Sequence, residues 1–155
     1  MRTGLILSAC FLAVPVVADT NKQRIHAVLN DLHTFAADAN GKSYFSLYSP
    51  NSMFIGTDAS ETWSKEEFQA YAQPYFSQGQ GWTYTMTERT VTVAESGQVA
   101  WFVEMLHNDS LGVTRGTGVL QKSEGEWRVE QYHLTLPVPN AIIGEVAASV
   151  RAHAN

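Results

Sequence analysis

The chain has 155 residues, enough for one domain with a substantial core, and 45% hydrophobic with 16% charged residues is the composition of a globular protein, not a disordered or fibrous one. A formal net charge of −5, without any cluster of Lys or Arg, repels phosphate backbones and anionic lipid surfaces and argues against nucleic acid or a membrane surface as partner. The single cysteine, Cys10, excludes a disulfide framework and leaves the chain beyond it without a thiol nucleophile.

Residues 1–18 read MRTGLILSACFLAVPVVA. Arg2 precedes an apolar run from Leu5 to Val17, which ends in the small residues Val16-Val17-Ala18. This is the pattern of a secretory signal cleaved after Ala18. Residues 19–155 would then form one mature domain in the periplasm or outside the cell. The run is shorter than the roughly 20 apolar residues that cross a bilayer. Leu7-Ser8-Ala9-Cys10 also resembles a lipobox, which would make a lipoprotein through Cys10. That reading leaves only Leu5 to Ala9 as the apolar region, below the roughly 7 to 15 residues expected.

From Asn21 to about Asn40 the residues Ile25, Val28, Leu29, Leu32, Phe35, Ala36 and Ala39 recur at three- and four-residue steps and predict an amphipathic helix, stopped by Asn40-Gly41. Lys42 to Tyr48 reads as a short second helix closed by Ser49-Pro50, and Ser52 to Gly56 as a short strand. Ser64 with Glu67 forms a capping box that opens a third helix, whose apolar face is Phe68, Tyr71, Ala72, Tyr75 and Phe76. Pro74 should kink that helix late or end it early.

Four long strands follow, Trp82–Glu95, Gln98–His107, Val113–Ser123 and Glu126–Val138, with turns marked by Ser96-Gly97, Asn108 to Gly112 and Glu124-Gly125. Ala141 to His153 reads as a terminal helix. Helices followed by a run of antiparallel strands give an α+β fold. In Gln98–His107 both alternating sets are largely apolar: Val99, Trp101, Val103 and Met105 on one face, Ala100, Phe102 and Leu106 with Glu104 on the other. Both faces are therefore expected to be covered, one by helices and the other by a partner subunit or a terminal segment, which argues for a homodimer.

In this order the chain resembles the SnoaL-like branch of the nuclear transport factor 2-like superfamily. The resemblance rests on Phe54-Ile55-Gly56-Thr57-Asp58-Ala59 with Glu61 and Trp63, on Phe68 through Phe76, and on Ala100-Trp101-Phe102. It continues through Arg115 to Leu120, Trp127-Arg128-Val129, Tyr132-His133-Leu134 and Pro139-Asn140. It implies a cone-shaped barrel in which a curved antiparallel sheet wraps around N-terminal helices, usually dimeric, with a pocket between the first helices and the concave face. Isomerases, dehydratases, epoxide hydrolases, polyketide cyclases and non-catalytic proteins share this fold, so it does not decide function. The pairing of a first-helix Tyr with two acidic residues, found in isomerase relatives, has no counterpart here: the first helix carries His26 and His33 and no Tyr.

The polar residues among the strands supply the candidates for chemistry. A hairpin of the second and third long strands would set Glu104 opposite Arg115. A three-residue turn at Ser123-Glu124-Gly125 would set Arg115 opposite His133, and all three would share one face. They would be either pocket groups or an ion pair that only holds the sheet, since a charge among apolar neighbours must be paired. His133 could serve as acid or base, or be a core histidine. His33 borders the helical stripe, facing either the cavity or the helix edge. Asp58 and Glu61 flank a tight turn, as a base at the pocket mouth or as acceptors of turn N–H groups. Trp63, Trp82 and Trp101 with Tyr44 would wall a pocket for a flat ligand, or simply pack the core.

No HExxH, CxxC, P-loop or G-x-S-x-G occurs, so neither a metal nor a cofactor is expected. The function expected is an exported pocket protein that binds a small apolar or aromatic molecule through His33, Tyr44, Trp63, Trp101, Glu104, Arg115 and His133, without assigned catalysis. The alternative is a cofactor-free isomerase, dehydratase or hydrolase, with His133 or Asp58 as acid–base group and Arg115 stabilising an oxyanion.

Overall fold

A computed structural model describes residues 15–153, so most of the expected signal segment lies outside the described residues. The first helix, α1 (Pro15–Ala37), buries the predicted stripe: Ile25, Leu29, Leu32 and Ala36 are at most 3% exposed. It begins earlier than its apolar pattern suggests, and Pro is tolerated in a first helical turn because its missing N–H has no partner there anyway. It also stops earlier than Asn40-Gly41. Ala39 takes the left-handed conformation at φ 52°, and Asn40 N–H returns to the Phe35 carbonyl at 2.9 Å while Ala39 N–H returns to Ala36. This is a Schellman closure with alanine where glycine is usual. Asn40 is thereby released to cap the next helix, α2 (Gly41–Ser46), its side chain accepting from Ser43 N–H.

Strand β1 (Tyr48–Ile55) starts four residues before its predicted position. Pro50 hides that start in the sequence, yet it falls where the ladder to the last strand is irregular and no donor is needed. A three-residue strand, β2 (Thr62–Ser64), hairpins back onto β1 and hands over to α3 (Lys65–Phe76). The Ser64–Glu67 capping box forms as predicted, and the helix ends two residues after Pro74. Strands β3 (Thr85–Val93), β4 (Val99–Asn108), β5 (Gly112–Ser123) and β6 (Glu126–Thr135) make a meander. A 3₁₀ turn (Asn140–Ile142) and α4 (Ile143–His153) close the described chain.

The six strands form one curved sheet in the order β2-β1-β6-β5-β4-β3. All neighbours are antiparallel except β1 and β6, which run parallel, so the expected all-antiparallel sheet is in fact mixed at this joint. Helix α1 packs across β3 and β6, and α3 across β1. They enclose a core of Tyr44, Phe45, Tyr48, Phe68, Phe76, Phe102, Trp127 and Tyr132 with the stripe of α1.

Two registers differ from the expected ones. In the β4–β5 hairpin Glu104 pairs with Gly116 and Met105 with Arg115, one step from the predicted pairing. Side chains alternate along a strand, so a one-residue step sends Glu104 and Arg115 to opposite faces. The β5–β6 turn is a two-residue one, Glu124-Gly125, both at positive φ, and a bulge lies between Val119 and Leu120. Arg115 therefore faces Thr135, and His133 faces Thr117. That shift is even, so Arg115 and His133 still share a face, but it is the one turned away from the helices. There Val99, Trp101, Val103 and Val113 are 37–57% exposed. Within one chain, the expectation that both faces are covered holds only for the helix side.

Candidate functional site

A cleft of about 200 Å³ opens between α1, α3 and the ends of β1 and β6. Its helical wall is Leu32, His33 and Ala36, with Tyr44 of α2 behind them. Phe54, Trp63 and Phe68 lie nearly parallel: Phe54 and Phe68 centroids are 3.9 Å apart at 12°, and Trp63 lies 5.8 Å from Phe68 at 10°. Trp82, Tyr84 and Tyr71 complete the outer wall, and Tyr132 and Leu134 of β6 the inner one. The loop after β1 adds Gly56, Thr57 and Glu61. A cavity that is mostly aromatic, with few polar groups, is the usual form of a small-molecule site.

At its inner end lies a buried polar network centred on Glu104, whose side chain is fully buried. Its Oε1 accepts from Tyr132 Oη at 2.7 Å and lies 2.9 Å from His33 Nε2, and its Oε2 accepts from Arg89 Nε at 2.6 Å. Arg89 comes from β3, directly across from Glu104 in the ladder, with only 1% of its side chain exposed. Its Nη1 donates to Asn30 Oδ1 at 2.8 Å and to the His26 carbonyl, tying the sheet to α1.

The charge state follows from these partners. Burial alone would push the Glu104 carboxyl up, but the His33 hydrogen bond and charge, the Arg89 guanidinium and the Tyr132 hydroxyl outweigh it and hold the group below the usual carboxylate range. Burial and the adjacent Glu104 charge push the Tyr132 phenol well up, so it stays neutral and donates. Facing a carboxylate acceptor, His33 donates from Nε2 whether the ring is charged or neutral, and in the neutral form the lone pair is left on Nδ1. Nδ1 has no hydrogen-bond partner among the described residues. A second buried pair, Tyr44 Oη and Tyr48 Oη at 3.0 Å, backs the cleft, and burial raises both phenols.

The sequence-predicted residues divide accordingly. His33, Tyr44, Trp63 and Trp82 line the cleft, and Glu104 sits beneath it as the partner of His33. Trp101, Arg115 and His133 do not reach it: they lie on the opposite sheet face, where Trp101 is 49% exposed. Asp58 is a turn residue whose Oδ1 accepts from Ser60 N–H and Oγ, and those bonds hold its carboxyl below the ordinary value. Arg89 and Tyr132 escaped the sequence reading. The signal for Arg89 was present, since a hairpin centred on Ser96-Gly97 sets it opposite Glu104. Among the described residues no group of three or more His, Cys, Asp or Glu could hold a metal ion, and no helix is long and apolar enough to cross a membrane.

The family signature known as the SnoaL-like domain matches residues 25–139, most of the chain and all six strands of the sheet. The chain belongs to the SnoaL-like domain family. No curated protein matches it in sequence. Solved structures show the same nuclear transport factor 2-like fold at low identity. One is a putative dehydratase of that family from Streptomyces avermitilis, with TM-score 0.67 and 13% identity, over 79% of this chain and 99% of that one. A second is a nuclear transport factor 2-like protein of unknown function from Pseudomonas putida KT2440, with TM-score 0.66 and 14% identity, over 79% and 90%. A third is a putative scytalone dehydratase from Novosphingobium aromaticivorans, with TM-score 0.65 and 8% identity, over 79% and 87%. At such identities the likeness of this SnoaL-like domain to its neighbours is one of fold.

Proposed function

We propose that this SnoaL-like domain is a cofactor-free acid–base catalyst acting on a small, flat, largely apolar molecule in the cleft. The observation that carries the reading is His33: an imidazole in an aromatic cavity, its Nε2 fixed by a buried carboxylate and its Nδ1 unengaged among the described residues. Nδ1 would take a proton from an acidic carbon of the substrate. The C–H electron pair then forms a new double bond as the C–O bond to a β-hydroxyl breaks, and the proton held on Nδ1 passes to the departing oxygen so that water leaves. In an isomerisation that proton returns instead to a different carbon of the substrate. This is dehydratase- or isomerase-type chemistry, and two of the structural neighbours bear dehydratase names. A panel of small aromatic β-hydroxy ketones, followed by enone absorbance, tests it. His33→Gln should cut turnover at least about 10²-fold while the circular dichroism spectrum stays unchanged. Undiminished turnover in His33→Gln removes the mechanism. Saturable binding without turnover favours a second reading, a binding protein, which has its own support: Glu104 is fully engaged by Arg89, Tyr132 and His33, as in a purely structural network.

The same proposal includes a homodimer and export. The open sheet face groups Trp101 and Val103 with Glu88 and Arg115, opposite charges that a twofold axis would bring together across two copies. Cleavage after Ala18 would spare Asn21, which is 5% exposed and accepts from Lys122 Nζ. Native mass spectrometry of the protein recovered from an exporting host should give a dimer of chains beginning at Asp19, and Trp101→Glu should give monomers. A wild-type monomer overturns the dimer, and a mass that includes residues 1–18 overturns the cleavage.

A further inference from the structure

The side chains lining the cleft include one acidic group, the carboxyl of Glu61, and no Lys or Arg. Of the other polar groups there, His33, Thr57 and the tyrosine hydroxyls can accept a hydrogen bond, and the indole N–H groups of Trp63 and Trp82 only donate. Arg115 and His133, expected among the ligand-binding residues, lie on the other sheet face, and Arg89, bound to Glu104, Asn30 and the His26 carbonyl, is not among the lining residues. At the outer end, Glu61 is held in place by its own turn. Its Oε2 accepts from Asp58 N–H at 3.1 Å, and its backbone N–H donates to the Asp58 carbonyl and its carbonyl accepts from Gly56 N–H. A Cβ on Gly56 would lie 2.1 Å from Glu61 Oε2, so the glycine is what lets this carboxylate fold in against the strand end. Tyr71 and Tyr84 flank it closely enough for its charge to raise both phenols, after burial has done so. Trp63 stacks on Tyr71 at 4.7 Å and closes the rim.

A half-buried carboxylate inside an aromatic rim, without any cation beside it, selects against anionic ligands and for cationic ones. We propose that the outer end of the cleft, Glu61 with the rims of Trp63, Tyr71 and Tyr84, receives an ammonium group, so that the ligand is an amine or quaternary ammonium compound with a flat apolar body. This rests on the reading of the cleft as the binding site. The body would occupy the aromatic slot towards His33, and the cation would stay at Glu61, where Oε1 has no partner among the described residues. The chain's net charge of −5 adds a long-range attraction for the same sign of ligand.

Three probes share one body and differ in charge: 2-phenylethylammonium, 2-phenylethanol and phenylacetate. Isothermal titration with the whole protein at low salt should rank them in that order, with about tenfold or more in Kd between ammonium and alcohol. Glu61→Gln, which keeps the acceptor for Asp58 N–H, should erase most of that factor and leave the alcohol within about twofold. A second variant, Thr57→Lys, places a cation at the exposed lip and should move the preference towards phenylacetate. Alcohol or phenylacetate binding as tightly as the ammonium overturns the cation site and leaves the pocket reading intact. Failure of all three probes to bind overturns both.

Discussion

Replacing Glu104 by Gln should remove about 3–5 kcal/mol of folding stability, read as a shift of the urea midpoint at unchanged slope. The substitution keeps the shape of the side chain and removes its charge. Arg89 is then a buried cation, 1% exposed, without its counter-charge. A carboxamide can accept through one oxygen only, whereas the carboxylate serves three donors through two, so at least one of Arg89, Tyr132 and His33 meets an N–H₂ group instead. A loss below about 1 kcal/mol would mean that water reaches Arg89 and that the pair is no more than a surface bridge. The double variant Glu104→Gln, Arg89→Met should recover much of the loss, because it removes the stranded charge along with its partner. Glu104 also sets a pH dependence. Its folded-state titration lies below the unfolded one, so its contribution is complete above the ordinary carboxylate range and disappears as the pH falls through the folded value. The wild type should lose stability into acid along a steeper curve than Glu104→Gln.

Gly116→Ala should cost about 2–4 kcal/mol and disturb the cleft, though residue 116 does not line it. A Cβ there would stand 2.3 Å from Tyr132 Oη and 2.9 Å from Glu104 Oε1, closer than any real carbon approaches. The phenol cannot fold aside, since Tyr132 is 3% exposed and packed between Phe54 and Phe102. Either the hydroxyl leaves Glu104 or β5 shifts from β6, and both release the clamp on His33. Urea unfolding reports the stability cost, and the turnover proposed for His33 would report the disturbed cleft. Adding Tyr132→Phe to Gly116→Ala removes the atom met first and should restore part of the stability. Full stability and full turnover in Gly116→Ala would show that the ladder slides freely here and that Tyr132 does not hold Glu104.

Those two residues show where the sequence was readable and where it was not. The capping box at Ser64 and Glu67 was legible because every partner lies within three residues. His33 was legible as a flank of the α1 stripe, since helical periodicity assigns it a direction. Which face of β4 meets the helices was not legible, because both alternating sets are apolar, and so Trp101 was expected in the cleft while it stands outside. Glu104 and Arg115 were paired through a hairpin register wrong by one residue, and parity turned that small error into the wrong face of the sheet. Arg115 and His133 suffered an even error and kept their common face, which proved to be the open one. Arg89 was overlooked for another reason. A charge in mid-strand reads as a solvated position until a cross-strand carboxylate is set opposite it, and the Ser96-Gly97 turn does so. Strand β2, three residues long, is too short to show any period.

The parallel joint between β1 and β6 governs when this cleft can exist. Phe54 pairs with Tyr132, residues far apart in the chain, and the strand ends that carry them form two walls of the cavity. Closing a loop of that length costs entropy that only the completed sheet recovers, so such contacts come late in folding and slow it. A nascent chain that has emerged only as far as β5 has Glu104 and Arg89 in hand but neither Tyr132 nor the partner strand of β1. The complete cleft is thus acquired in one step, once β6 has emerged and paired, and the unpaired edge of β1 is the surface that a chaperone would have to guard until then.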